Sequence, residues 1–285
     1  MDKPTASIII TTYNRPELLK RALSSALNQT YKDYEIIVVD DCSTVPFQID
    51  NKSVRLVKHE VNKGLSAARN TGIKAAQGKY IVCLDDDNEL MPEFLEKTIE
   101  EIGDYDAVAV GRTIQYKDFF DYVVPGIGKL SSIDWGWLIK KKVFDKIQYD
   151  EQLRANEDTD FGIRFFKKFT AIQIGDLLTI AHDIENPKDS LSFPTERELE
   201  GMERFFKKNF HEYNDPREKW HLYRLMGRKF YRGGYGVMGV LFFWKGFMVY
   251  KKFRSFLHLF FILFGWKVYD KFMTLEEKLS AKRRK

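Results

Sequence analysis

Two cysteines in 285 residues leave little room for sulfur chemistry. Cys42 and Cys83 each sit in or just after an apolar run, which reads as small core or pocket-edge residues. A disulfide framework or a thiolate zinc site needs more cysteines than this. The usage fits a reducing compartment. The N-terminal MDKPTAS lacks the apolar core of a signal peptide, and strand-like residues follow at once, so a cytoplasmic location is expected. No apolar segment reaches the roughly 20 residues that cross a bilayer as a helix. No glycine stands between positions 11 and 16, after the first strand-like run, where a glycine-rich phosphate loop would need one. That ranks a sugar nucleotidyltransferase low. No internal repeat, low-complexity segment or nucleic-acid-binding module is visible, and no nucleic-acid partner is expected.

Charge is plentiful and unevenly placed. Residues 217–285 hold 17 Lys and Arg against 4 Asp and Glu, so the net +5 of the whole chain hides an acidic body and a basic tail. In the body, short β-branched runs at 7–12, 35–39, 54–57, 80–84 and 107–110 (the last continuing toward 116) alternate with helical spacing at 17–29, 65–76 and 92–102. Farther on, strands are expected at 137–139 and 171–174, and helices at 140–147, 158–168 and 195–210. The alternation predicts an α/β domain over 1–215, a mostly parallel sheet with helices on both faces. A helical region over 216–285 follows it. There, aromatic stretches at 233–244 and 255–266 contain no Lys, Arg, Asp or Glu and flank a basic patch with Lys245, Lys251, Lys252 and Arg254. Such stretches suit buried helices, an oligomer interface, or helices lying at an anionic membrane surface. Membrane-surface contact is the favoured reading.

The most informative run is YIVCLDDDN, residues 80–88. Clustered carboxylates at the end of a strand repel one another unless a cation joins them, and hard ions such as Mn²⁺ or Mg²⁺ take oxygen ligands and bridge to phosphates. The carboxyl edge of an open α/β sheet is also where ligands bind. An acidic turn before the helix at Pro92 is the plainer alternative. Other candidates are weaker singly. TTYN at 11–14 offers hydroxyls and a ring to a nucleobase. Asp40-Asp41 ends the second strand, and Arg69 lies about a turn inside a helix that Gly64 opens. NEDTD at 156–160 leads a helix, where acids also serve as caps. Of these, Asp158 is the choice for taking a proton from an acceptor hydroxyl. His182 is a candidate ion ligand.

In order and spacing, SIIITTYNRPELLKRALSSALNQTYKDYEIIVVDDCST, NKGLSAARNTGIKAAQGKYIVCLDDDNELMP and ANEDTDFGIRF together resemble the inverting family 2 glycosyltransferases of the GT-A fold. The likeness covers about residues 5–185, carried past Pro92 by WGWLIKKKVFDKI, the Glu157-Asp158 pair and the DSLS at 189–192. It implies an enzyme that moves a sugar from a nucleoside-diphosphate donor, a UDP-sugar by preference, to a glycan or lipid-linked acceptor. Thr11, Tyr13 and Asp41 match positions that hold the nucleobase and ribose. Arg69 and Asp86 fall near the nucleotide. Asp85 and Asp87 match the metal-binding acids, with His182 near a family histidine. Asp158 matches the general base. Trp135, Trp137 and Glu157 are placed on the acceptor side, with core packing the alternative for the two tryptophans. Membrane-peripheral work at the inner face of the cell membrane, in surface-polysaccharide synthesis, is the expectation. A non-catalytic nucleotide-sugar-binding scaffold is the competing one.

Overall fold

The computed structural model describes residues 3–115, 120–123, 132–182, 196–265 and 267–273. The chain divides into two compact units, residues 1–187 and 188–285. The helix at Glu196–Asn209 lies in the second unit. Its Phe206 ring packs against Tyr223 and Phe242, which are tail residues.

The first unit is built on a mixed sheet in the order β3-β2-β1-β4-β8-β6-β9-β5, with β7 on the side of β6. Strands β1 (Ala6–Thr12), β2 (Tyr34–Asp40), β3 (Val54–Lys58) and β4 (Tyr80–Asp85) are parallel. Beyond β4 the sheet turns mixed. β8 (Leu138–Lys140) runs antiparallel to β4 and to β6 (Ala107–Gln115), while β9 (Ala171–His182) is parallel to β6. β5 (Asn88–Leu90) and β7 (Phe120–Val123) pair antiparallel with β9 and β6.

β1, β2 and β4 are apolar without alternation because both faces are covered. Ile8 and Ile10 enter one core with Ile36, Val38, Val82 and Leu84. Ile9 enters the other with Ile37, Val39, Ile81 and Cys83. Helix α1 (Pro16–Leu27) covers the first core with Leu19, Ala22 and Ala26, spaced three and four apart, and Pro16 sits in its first turn, where no N–H partner is needed. α3 (Phe94–Glu101) adds Phe94 and Leu95 there. α2 (Leu65–Ala75) and α4 (Glu157–Phe165) cover the second core, α4 through Phe161 and Phe165 on one side of its turn.

Four elements differ from expectation, the first being β7, where no strand is expected. Where a helix is expected over 140–147, Lys140 ends β8 and Lys141–Val143 form one 3₁₀ turn followed by turns, although Val143, Phe144 and Ile147 are buried as a helix would bury them. β9 runs eight residues past Ile174, because pairing with β6 absorbs the polar Gly175-Asp176 break through register shifts around Gly111. β5 carries Asn88 and Glu89, which give no strand signal, and exists by pairing with β9.

In the second unit α5 (Glu196–Asn209) is followed by α6 (Pro216–Arg232), α7 (Gly236–Val249) and α8 (Phe253–Leu263). Asp215 caps α6 by accepting from the Arg217 N–H at 2.6 Å. α6 and α7 approach closely enough that a Cβ on Gly239 would lie 2.9 Å from the Gly227 carbonyl oxygen. Phe243, Leu259, Ile262, Tyr269 and Met273 form a core of their own. No helix among the described residues is long and apolar enough to cross a membrane.

α2 also lies tight against the sheet. A Cβ on Gly72 would overlap Ile9 Cγ2 and sit 3.2 Å from Val39 Cγ2. Gly72→Val is expected to destabilise the protein by about 1–3 kcal/mol through overpacking of that seam, read as a lower urea midpoint with an unchanged m-value.

Candidate active site

The parallel strands deliver their polar ends to one edge. β1 ends in Thr11 and Thr12, both buried, and the chain leaves through Tyr13, whose ring is partly exposed. Asn14 turns in the left-handed region (φ 56°), a conformation asparagine tolerates. Its Oδ1 accepts from the Thr44 N–H at 2.7 Å and the Val45 N–H at 3.1 Å, and its own N–H donates to Ser43 Oγ at 2.8 Å. The β1 and β2 exits are thereby fastened together. Asp40 at the end of β2 accepts from the Ser43 N–H at 2.8 Å. Asp41 is buried and takes the N–H groups of Lys63 (2.8 Å) and Gly64 (2.7 Å), with His59 Nδ1 also 2.7 Å from its Oδ1. A carboxylate has about four acceptor sites, so one remains on Oδ2.

β4 ends in the three aspartates, and they part ways. Asp85 receives Arg69 Nη2 at 2.8 Å. Asp86 is buried, accepts from Thr12 Oγ1 at 2.7 Å and lies 3.3 Å from Arg15 Nη1. Burial pushes its carboxyl up to about 7 against the pull of Arg15 and Thr12. Asp87 receives Arg15 Nη1 at 3.2 Å and Asn88 Nδ2 at 2.7 Å. Its carboxyl is raised by burial and by the charge of Asp85. Arg21 fixes the same turn by donating to the Asp87 carbonyl at 2.7 Å.

Arg69 joins this cluster to the start of α4. Its side chain is 2% exposed; Nη1 donates to Glu157 Oε1 at 3.0 Å while Nη2 holds Asp85. The guanidinium lies over the Tyr149 ring, 5.2 Å from its centroid. Burial opposes its charge, but Asp85, Tyr149 and Glu157 together hold its pKa well above the ordinary arginine value. Cys83, pressed against it, is a free thiol pushed up to about 12 by burial and so remains protonated.

Asp158 follows Glu157 in the first turn of α4, after Asn156 in the left-handed region. Desolvation, Glu157 and Asp134 push its carboxyl up to about 7. Thr159 N–H donates to its Oδ1 at 2.7 Å. Arg112 grips Asp134 with both terminal nitrogens, at 2.9 and 3.0 Å. Arg15, Arg112, Asp134 and Tyr149 are not legible in the sequence as site residues, because their contacts with the acids and with Arg69 are made across the fold.

Three placements qualify the sequence expectations. The β5–β9 register, extended by one residue, sets His182 opposite Asp87, yet its Nε2 is 2.6 Å from Glu89 Oε1. Trp137, 2% exposed, lies in the second core edge-on to Phe166, and Trp135 lies in the first with Arg112 over its face at 4.2 Å. Neither ring offers a free face to a sugar, which corrects the acceptor-side expectation for both: apolar burial between sheet and helices claims them. Glu157 is bound to Arg69. Residues 189–192 lie outside the described residues.

Among the described residues no three His, Cys, Asp or Glu converge to hold an ion. The donor set still fits a divalent cation of the magnesium type, which is commonly held by one or two carboxylates with substrate phosphates and water completing its shell. Asp85 and Asp87 keep 24% and 20% of their side chains exposed, and the charge of one raises the proton affinity of the other. A dication relieves that repulsion.

The family model for glycosyl transferase family 2 matches residues 7–171. An uncharacterised glycosyltransferase of Methanocaldococcus jannaschii is 29% identical over 220 residues, 67% of this chain and 75% of its own. A protein of Escherichia coli K12 named for glycosyl transfer in colanic acid biosynthesis, WcaA, is 26% identical over 79% of this chain and 88% of its own. In fold, the chain is similar to S. aureus TarS 1–349 in complex with UDP-GlcNAc, with a TM-score of 0.58 at 16% identity, covering 98% of this chain and 92% of that one.

Arg69→Met leaves Asp85 and Glu157 facing each other without their shared cation. It is expected to cost about 3–5 kcal/mol, measured by urea denaturation, with Arg69→Lys recovering part of the loss.

Proposed function

This chain belongs to glycosyl transferase family 2, and on that footing we propose that it transfers a sugar, with inversion, from a nucleoside-diphosphate donor to an acceptor hydroxyl. The observation that supports this most directly is the sharing of Arg69 between Asp85 and Glu157. It ties the edge suited to a diphosphate to the helix turn that carries a candidate base. Thr11, Tyr13 and the remaining acceptor site of Asp41 border the nucleobase, and Asp86 borders the ribose. Asp85 and Asp87 would hold Mn²⁺ or Mg²⁺, whose chemistry there is Lewis-acid neutralisation of the diphosphate. Asp158 accepts the proton of the attacking hydroxyl. A base whose pKa lies near neutrality is matched to that task, and desolvation with two neighbouring carboxylates puts Asp158 there.

A UDP-sugar is the favoured donor; the complex of the similarly folded TarS with UDP-GlcNAc supports that choice. The acceptor class we favour is a glycan or lipid-linked saccharide of a surface polysaccharide, which the name of the colanic acid relative supports. Such acceptors are met at the cytoplasmic face of a membrane, and peripheral attachment there suits this enzyme.

Asp158→Asn should abolish sugar transfer while nucleotide affinity changes less than about twofold; full transfer by that variant removes Asp158 from the chemistry. Because the base works ionised, kcat/KM should rise with pH through about 7. Asp134→Asn removes a repelling charge and should move that limb to lower pH. A screen of nucleotide sugars for Mn²⁺-dependent hydrolysis should single out one donor, and Asp87→Ala should lose the metal dependence of nucleotide binding. A metal response unchanged in that variant assigns the ion elsewhere.

A further inference from the structure

α7 and α8 each have two apolar sides. On α7, Phe242, Phe243 and Gly246 face inward and are buried, while Val237, Leu241, Trp244 and Met248, at i, i+4, i+7 and i+11, are exposed. On α8, His258, Leu259 and Ile262 are buried, while Phe253, Phe256, Phe260, Leu263 and Phe264 line the open side. Exposure is high: 79% for Val237 and 75% for Phe253. The two open stripes are joined through the half-buried ring of Phe247. Ring centroids step from Trp244 to Phe247 (6.1 Å), across to Phe256 on α8 (6.2 Å), then to Phe260 (5.9 Å) and Phe264 (4.9 Å). A continuous apolar strip of this kind marks a contact surface.

Its dimensions and charge select the partner. Helices of 14 and 11 residues are about 21 and 17 Å long, well short of the roughly 30 Å hydrocarbon core, so the pair can lie in a leaflet but not cross it. Residues 236–273 contain six Lys and Arg and one acid, Asp270. Lys251 and Lys252 stand exposed at the α7–α8 junction beside the exposed Phe253, while Arg254 lies over the Trp220 ring. Apolar rings with lysines at the border match an anionic headgroup layer. A second copy matches poorly: two-fold apposition would set the same positive border against itself, and lysine is depleted in protein interfaces.

We propose that the α7–α8 pair embeds in the headgroup region of a leaflet rich in anionic phospholipid, with the Trp244–Phe264 strip in the acyl boundary and Lys251 and Lys252 at the phosphates. It gives the membrane-side location suggested above a physical seat, and the contact is independent of the reaction assigned to the other unit.

The test is flotation of the full-length protein with vesicles of phosphatidylcholine alone or with about 30% phosphatidylglycerol, at about 0.1 M NaCl. Wild type should float with the anionic vesicles and not with the neutral ones. Lys251→Glu with Lys252→Glu should weaken binding about tenfold or more, and Phe253→Glu with Phe260→Glu should remove it, both with donor turnover unchanged as the check on folding. Should a variant not fold, brominated lipid supplies the readout on wild type, where Trp fluorescence should be quenched by anionic bilayers only. No flotation of wild type, flotation unaltered in both folded variants, absence of quenching, or a lipid-free dimer broken by the phenylalanine changes would each overturn the lipid contact. Donor turnover is scored separately, so a failed reaction assignment leaves the flotation result standing.

Discussion

A guanidinium almost wholly out of water has one terminal nitrogen on Asp85 and the other on Glu157, with Tyr149 beneath it. Those two acids are 72 residues apart in sequence and come from different elements, the end of β4 and the start of α4. Neither tolerates the other's charge at close range without a cation, and the cation is out of solvent and depends on both. The three groups therefore stand or fall together, as buried charge triads do. Because Asp86 and Asp87 continue from Asp85 and Asp158 continues from Glu157, the positions of these five acids are tied together by that pairing.

The edge is held against its own electrostatics. Burial and mutual repulsion raise the proton affinity of Asp86, Asp87 and Asp158. The protein answers with arginines from elsewhere in the chain: Arg15 on Asp86 and Asp87, Arg69 on Asp85, Arg112 on Asp134. Each is drawn from a different element, which spreads positive charge around the rim and leaves Asp85 and Asp87 partly open. Acidic groups kept short of full neutralisation are disposed to take up a substrate-borne or divalent partner.

The parallel strands and the helices over them were legible because apolar runs and helical spacing report burial directly. β1, β2 and β4 begin and end within a residue or two of expectation, and the acids at their ends follow from strand direction. β5 and the far half of β9 were not legible, since Asn88, Glu89, Gly175 and Asp176 become strand only through pairing that a linear pattern does not encode. Trp135 and Trp137 show the converse limit. An aromatic residue near a suspected site has the same sequence signature whether its ring faces substrate or core, and here the cores take both. Arg69 is legible as a helix residue able to pair with an acid of the 85–87 cluster, as it does with Asp85, but Glu157 is not, because that contact is made across the fold. Asp41 is legible as a strand-end acid, while its hold on the 59–64 loop combines the His59 ring with the backbone N–H groups of Lys63 and Gly64, which carry no residue identity.

α2 brings Arg69 to its partners, and Gly72, one turn farther along, sets how deep that helix settles on Ile9 and Val39. The hydrogen at that position is thus a spacer of fixed thickness. A single extra carbon would lift the helix by a fraction of an ångström, and charge-assisted bonds of 2.8 and 3.0 Å have little slack to follow it. Alignment at the rim is in this way calibrated by an atom that touches only hydrocarbon, so variation in the packing beneath the helix is a route by which such an enzyme's chemistry can be tuned without altering any group that meets its substrates.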